Sequence, residues 1–182
     1  MTDREITAQN NPRLYADIQA VKQAMHQRYP QYDALVNKVK FFITDDFSLL
    51  YNAQAVGSPN IRIGKFLARD LDSTKMQGVL GHELAHKMMR DTLQNSTASN
   101  KADECRADFI SDQALPGKLL KHFQDTTNSI DDLIHAGLDV LHLTTHPSGK
   151  ARIDMLGNLK PSIRDTDVKK LRFDSQCKIT PR

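Results

Sequence analysis

The chain has 182 residues, 39% apolar and 26% charged, enough for one hydrophobic core and too few for two large domains. No apolar run approaches the roughly 20 residues that a membrane-spanning helix needs, and the polar start MTDREITAQNN lacks the apolar stretch of a secretory signal. The net charge of +3 is too small to imply a nucleic-acid partner, so neither nucleic-acid binding nor membrane insertion is expected.

Asn11-Pro12 predicts a helix start, with Asn as cap and Pro at the first helical position. Leu14, Ile18, Val21 and Met25 follow at helical spacing, and Pro30 ends the segment. Val39 to Ile43 reads as a strand stopped by Asp45-Asp46, and Leu49 to Val56 as a second. Gly57-Ser58-Pro59-Asn60 is a turn, and Ile61-Arg62-Ile63 a third short strand. Asp72-Ser73 caps a helix running to about Asp91, with Met76, Val79, Leu80, Leu84 and Met88 apolar. After a polar loop from Thr92 to Asn100, a helix from about Lys101 to Leu115 stops at Pro116-Gly117. Two more helices follow near Lys118–Asp125 and Ile130–Leu143, and Ser148 caps a short one to Leu159. A basic cluster near the end, including Lys169, Lys170, Arg172, Lys178 and Arg182, reads as a solvated tail. Three short strands followed by helices imply an α+β domain spanning 1–182, with a small mixed sheet on a central helix.

The chemistry lies in His82-Glu83-Leu84-Ala85-His86, an HExxH sequence inside a predicted helix. Positions i and i+4 face the same side one turn apart, so two imidazoles can share one zinc ion. Glu83 then stands beside the metal, where it can act as general base toward a zinc-activated water. A catalytic zinc needs a third protein ligand. The metzincin spacing fails, because its Gly and His positions hold Met89 and Thr92. Cys105 and Glu104 remain, on the next helix. Glu104 is preferred, since a carboxylate keeps zinc a strong Lewis acid and a thiolate favours a structural site. Of the 22 acidic residues only three are Glu (Glu5, Glu83 and Glu104), and two of these fall in the motif elements. Cys105 then reads as a small buried residue. Asp108, one turn after Glu104, is the expected carboxylate partner for the outer nitrogen of a ligand histidine. With only Cys105 and Cys177, a disulfide-rich scaffold is excluded and a reducing compartment fits, so a cytoplasmic location is expected. Export by a non-standard route stays open.

Glu104-Cys-Arg-Ala107-Asp108 resembles the ExxAD element of the gluzincin metalloproteases that include the CAAX prenyl endopeptidase, HtpX and the Oma-type protease. Asn52-Ala53, Ile61 to Gly64 and Gly78 to His82 are similar to the approach to that family's active-site helix. Thr145-His146-Pro147-Ser148 followed by Arg152-Ile153 and Leu156 is similar to its late element. The likeness covers about residues 52–156 and leaves the tail, 161–182, unassigned. It implies a zincin-like peptidase fold and zinc-dependent cleavage of peptide or protein substrates. His82, His86 and Glu104 would hold one Zn2+ per chain, Glu83 would be the base, and Asp108 would orient a ligand. His146 would lie near the metal as an oxyanion stabiliser or an occluding ligand, with Arg152 a further candidate for the oxyanion. The strand Ile61, Arg62, Ile63 would offer its edge to an extended substrate. The chain lacks the membrane helices of many members and has a short gap before Glu104, as in the soluble minimal gluzincins. A DNA-associated SprT-type protease would need a third His and a nucleic-acid module, and the sequence shows neither. The rival from another class is a latent or non-catalytic zinc-binding domain with a chaperone-like or regulatory role.

Overall fold

The computed structural model describes residues 2–55, 59–92, 100–125 and 149–182. In chain order these form β1 (Asp3–Glu5), α1 (Pro12–Arg28), α2 (Asp33–Lys38), β2 (Lys40–Thr44), β3 (Ala53–Ala55) and β4 (Asn60–Gly64). There follow α3 (Lys65–Asp70), α4 (Ser73–Thr92), α5 (Asn100–Ala114) and α6, residues 118–125. The last elements are α7 (Gly149–Gly157), α8 (Pro161–Arg164), β5 (Leu171–Phe173) and β6 (Ile179–Pro181). The expected helix at Ile130–Leu143 and the turn carrying His146 lie outside the described residues.

The architecture is mixed α+β with a small sheet, as the pattern of elements implied. Asn11 caps α1 by accepting the Leu14 amide (3.1 Å), and Leu14, Ile18, Val21 and Met25 are all buried. Asp72 caps α4 through the Lys75 amide at 2.9 Å. Its five expected apolar residues, Met76 to Met88, lie in the core. Asp17, buried on α1, accepts from Ser73 Oγ (3.1 Å) and Gln77 Nε2 (2.9 Å), which fixes α1 against the start of α4.

Two strand expectations change. The stretch from Leu49 to Val56 is not one strand. A 3-10 turn over Phe47–Leu49, capped by Asp46, comes first, and among the described residues of this stretch Ala53–Ala55 pair in the sheet. The Leu50 carbonyl accepts the amides of Phe66 and Leu67 instead of joining a ladder. The sheet order is β1-β2-β4-β3, with β2 and β4 parallel and the other pairs antiparallel. β4 is therefore interior. Its neighbours use both of its edges, and Ile61 and Ile63 are fully buried. The Ile61–Arg62–Ile63 segment consequently has no edge to offer a substrate, and the strand at the sheet's end on that side is β3.

α4 packs on α1, β3 and α5. Close approach on its α5 and α6 side requires glycine. A Cβ on Gly78 would lie 2.7 Å from the Leu119 backbone nitrogen, and one on Gly81 would lie 2.5 Å from Ser111 Oγ. Ser111 Oγ donates to the Gly78 carbonyl at 3.3 Å. Gly81 thus brings α5, and Gly78 brings α6, close against α4.

A second apolar cluster joins α5 to the C-terminal segment through Phe109, Leu119, Leu156, Leu171 and Phe173. Cys105 and Cys177 form a disulfide at its centre, across 72 residues of chain. Cys105 is buried, as expected of a small core residue, and the bond to Cys177 is what its spacing did not announce. Because disulfides persist in oxidising environments, the cysteines no longer argue for a reducing compartment. A closed loop of this length should stabilise the fold by about 4 kcal/mol on chain-entropy grounds, within a usual range of about 2–5. Urea unfolding with and without a dithiol reductant should show that loss, and coincident curves would leave the bond no stabilising role. Among the described residues, no helix is long and apolar enough to cross a membrane.

Candidate metal centre

His82 and His86 lie on successive turns of α4, where the 3.6-residue repeat brings i and i+4 together. Their rings meet edge to face, with Nε2 atoms 3.1 Å apart. α5 supplies Glu104 across from them. Its Oε2 is 3.2 Å from His82 Nε2, and its Oε1 is 2.9 Å from His86 Nε2. These three residues form the candidate metal-binding group among the described residues. Bonds of about 2.0–2.1 Å at a tetrahedral centre imply ligand–ligand edges of about 3.3–3.5 Å. The observed distances are slightly shorter, so a small outward shift of each side chain admits an ion. Two imidazoles and a carboxylate are a donor set that zinc takes, with one position left for a non-protein ligand. Cys105 is not available as a ligand, because the disulfide holds it.

Behind the donors runs a buried chain of charge. His82 Nδ1 lies 2.8 Å from Asp108 Oδ1, an ion-pair contact without the alignment of a straight hydrogen bond. Arg152 of α7 donates to both Asp108 oxygens, Nε to Oδ2 and Nη2 to Oδ1, each at 2.6 Å. The same guanidinium is 3.8 Å from Glu104 Oε2 and stacks 4.1 Å from the Phe123 ring centre. Burial works against ionising Asp108, yet Arg152 and His82 outweigh it and hold the carboxyl below its ordinary range. Arg152 is thus engaged with Asp108 behind the donors and with the donor Glu104 itself, an arrangement suited to positioning.

Glu83 is buried beside the pair, and its Oε2 accepts the Ala55 amide of β3 at 2.8 Å. Burial raises its carboxyl above the ordinary glutamate range, against the opposing pull of His82 and His86. Ala55 could not be found from residue type, since it contributes a backbone N–H. Nor did the sequence mark His122 of α6. Burial, and then the nearby charges of Arg152, Lys75 and His82, push its pKa down to about 4 and keep it neutral. Its spacing belongs to no motif, and only the packing of α6 brings it near the charge chain.

The metal-free donors carry a proton. Burial opposes protonation of His82, but Asp108 and Glu104 together push its pKa up to about 10. Because the folded value exceeds the unfolded one, the stabilisation is complete below about pH 6.5. It fades as pH rises toward the folded value. Zinc needs deprotonated ligands, so its own stabilisation grows over the same interval. Thermal midpoints from about pH 6 to about pH 9 should fall for the metal-free chain, and the increment from added zinc should widen. Parallel curves would show that these three residues do not take up the ion.

Comparisons with protein-family models, curated proteins and solved structures find no match to this chain.

Proposed function

We propose that the chain is a zinc-dependent endopeptidase of gluzincin type on a zincin-like fold. One observation carries the reading. Two imidazoles from an HExxH helix and a carboxylate from the next helix converge within 4.8 Å, with the motif's own glutamate buried beside them. His82, His86 and Glu104 would hold the ion. Bound there, zinc supplies Lewis-acid chemistry, acidifying water and polarising a carbonyl. Glu83 accepts the proton of the attacking water and passes it to the leaving amine. Its raised affinity for a proton, caused by burial, suits that exchange. Asp108 and Arg152 hold His82 in the orientation that turns Nε2 toward the ion. An extended substrate aligns along β3, the outer strand beside α4.

The test is reversible metal dependence. The chain should cleave an unfolded protein such as casein, lose that activity to a chelator, and regain it with about one equivalent of zinc. Zinc uptake at that stoichiometry without cleavage would instead support the non-catalytic zinc-binding domain. Cleavage indifferent to chelation would remove the metal from the reaction.

A further inference from the structure

A cavity of about 260 Å³ opens between the end of α1, the middle of α5 and the segment around residues 165–182. Met88, Met89 and Ile110 form an apolar floor, each buried. One wall is fixed by hydrogen bonds. The Tyr29 hydroxyl donates to Gln113, and Gln113 Nε2 donates to the carbonyls of Arg164 (2.5 Å) and Thr166 (2.9 Å).

The charge around this floor is lopsided. Arg28, Arg106, Lys169 and Arg182 all line the cavity. Among the described residues, only Arg106 has a carboxylate partner, with Nη1 donating to Asp103 at 3.0 Å. Arg106 is buried, and its guanidinium lies 5.6 Å from the Phe173 ring centre. Burial disfavours its charge, Asp103 supports it, and the neighbouring Arg182 charge disfavours it again. Arg182 is itself tied in place, its Nε donating to the Leu171 carbonyl at 3.1 Å. Two carboxylates, Asp165 and Asp167, also stand at the rim.

We propose that this cavity binds a small monoanionic carboxylate carried on an aromatic or branched apolar body. Arg106 and Arg182 take the carboxylate, and Met88, Met89 and Ile110 take the body. A planar guanidinium matches a carboxylate with two parallel donors. Asp165 and Asp167, which also line the cavity, repel a phosphate of about −1.5 to −2 more strongly than a carboxylate of one charge. The thioethers of Met88 and Met89 suit the edge of an aromatic ring. The volume lies just below the range of about 300–1,000 Å³ for small-molecule sites, so the occupant is small. The site is separate from the proposed zinc ligands and does not depend on their reading.

Methyl-labelled methionine spectra of the whole chain test it with phenylacetate as probe. The Met88 and Met89 methyl signals should shift saturably with a Kd on the order of 1 mM, while those of Met25 and Met76 stay fixed. The response should be equal in zinc-loaded and chelated protein, which separates the cavity from carboxylate binding to the ion. Phenylacetamide and inorganic phosphate should bind at least about tenfold more weakly. Arg106→Gln should weaken phenylacetate about tenfold. Lys169→Glu, on the exposed rim, should weaken it several-fold and covers the case in which the first variant fails to fold. No saturable shift at Met88 and Met89, an equal response to phenylacetamide or to phosphate, or binding only with zinc present would each overturn the proposal.

Discussion

Substituting Glu83→Gln should lower peptide hydrolysis by about 10²–10⁴-fold, the usual contribution of a general acid–base group, and leave zinc uptake intact. The substitution is nearly isosteric. A glutamine carbonyl oxygen can still accept the Ala55 amide that Glu83 Oε2 accepts at 2.8 Å, so the β3–α4 contact survives. Fold stability at neutral pH should not fall. Burial raises the Glu83 carboxyl, so its ionised form weighs against folding above the unfolded pKa, and the neutral amide removes that cost. The measurements are metal content, the thermal midpoint and the rate on one peptide. A variant that holds zinc and cleaves at the parent rate would strip Glu83 of its role. A variant that loses zinc would show that the motif carboxylate helps to build the centre.

The donor set was legible because helical periodicity is a local property. HExxH inside a run with apolar residues at Met76, Leu80 and Leu84 needs only α4 to form for His82 and His86 to meet. Glu104 needed one further step, the antiparallel return of the next helix, and Gly81 supplies room for it. Strand order was not legible. Ile-Arg-Ile alternation looks the same at an edge as in the middle of a sheet. In the fold Arg62 pairs with Asp3 (3.0 Å) and Asp46 (3.3 Å) across the sheet. β1 was missed for the opposite reason, since all three of its side chains are exposed and leave no apolar pattern. The disulfide depends on how the hairpin of β5 and β6 returns to α5. Spacing cannot give that, because the asparagine-free turn at residues 174–178 is set by Asp174 accepting the Gln176 and Lys178 amides.

Arg152→Met should cost the fold about 3–5 kcal/mol, because it strands a carboxylate where water cannot reach it. Asp108 is 0% exposed, and both of its oxygens now accept from Arg152 at 2.6 Å. Methionine fills a similar volume against Phe123, so most of the loss is electrostatic and not a packing void. Among the described residues His82 is then the one cation left in contact with Asp108, and its ring loses the restraint that sets Nε2 toward Glu104. Zinc affinity should fall about 10–100-fold, as for other supports of ligand histidines. The acid limb gives a second readout. The Asp108 pKa is depressed in the fold, so its contribution is present above about pH 4 and lost as pH falls through the folded value. Without Arg152 that dependence should weaken. Asp108→Asn added to Arg152→Met should recover part of the stability, since the stranded charge is gone, while the zinc affinity stays low. A pair of single variants whose costs simply add would mean that Arg152 and Asp108 act independently, and the charge chain from α7 to the metal centre would lose its meaning.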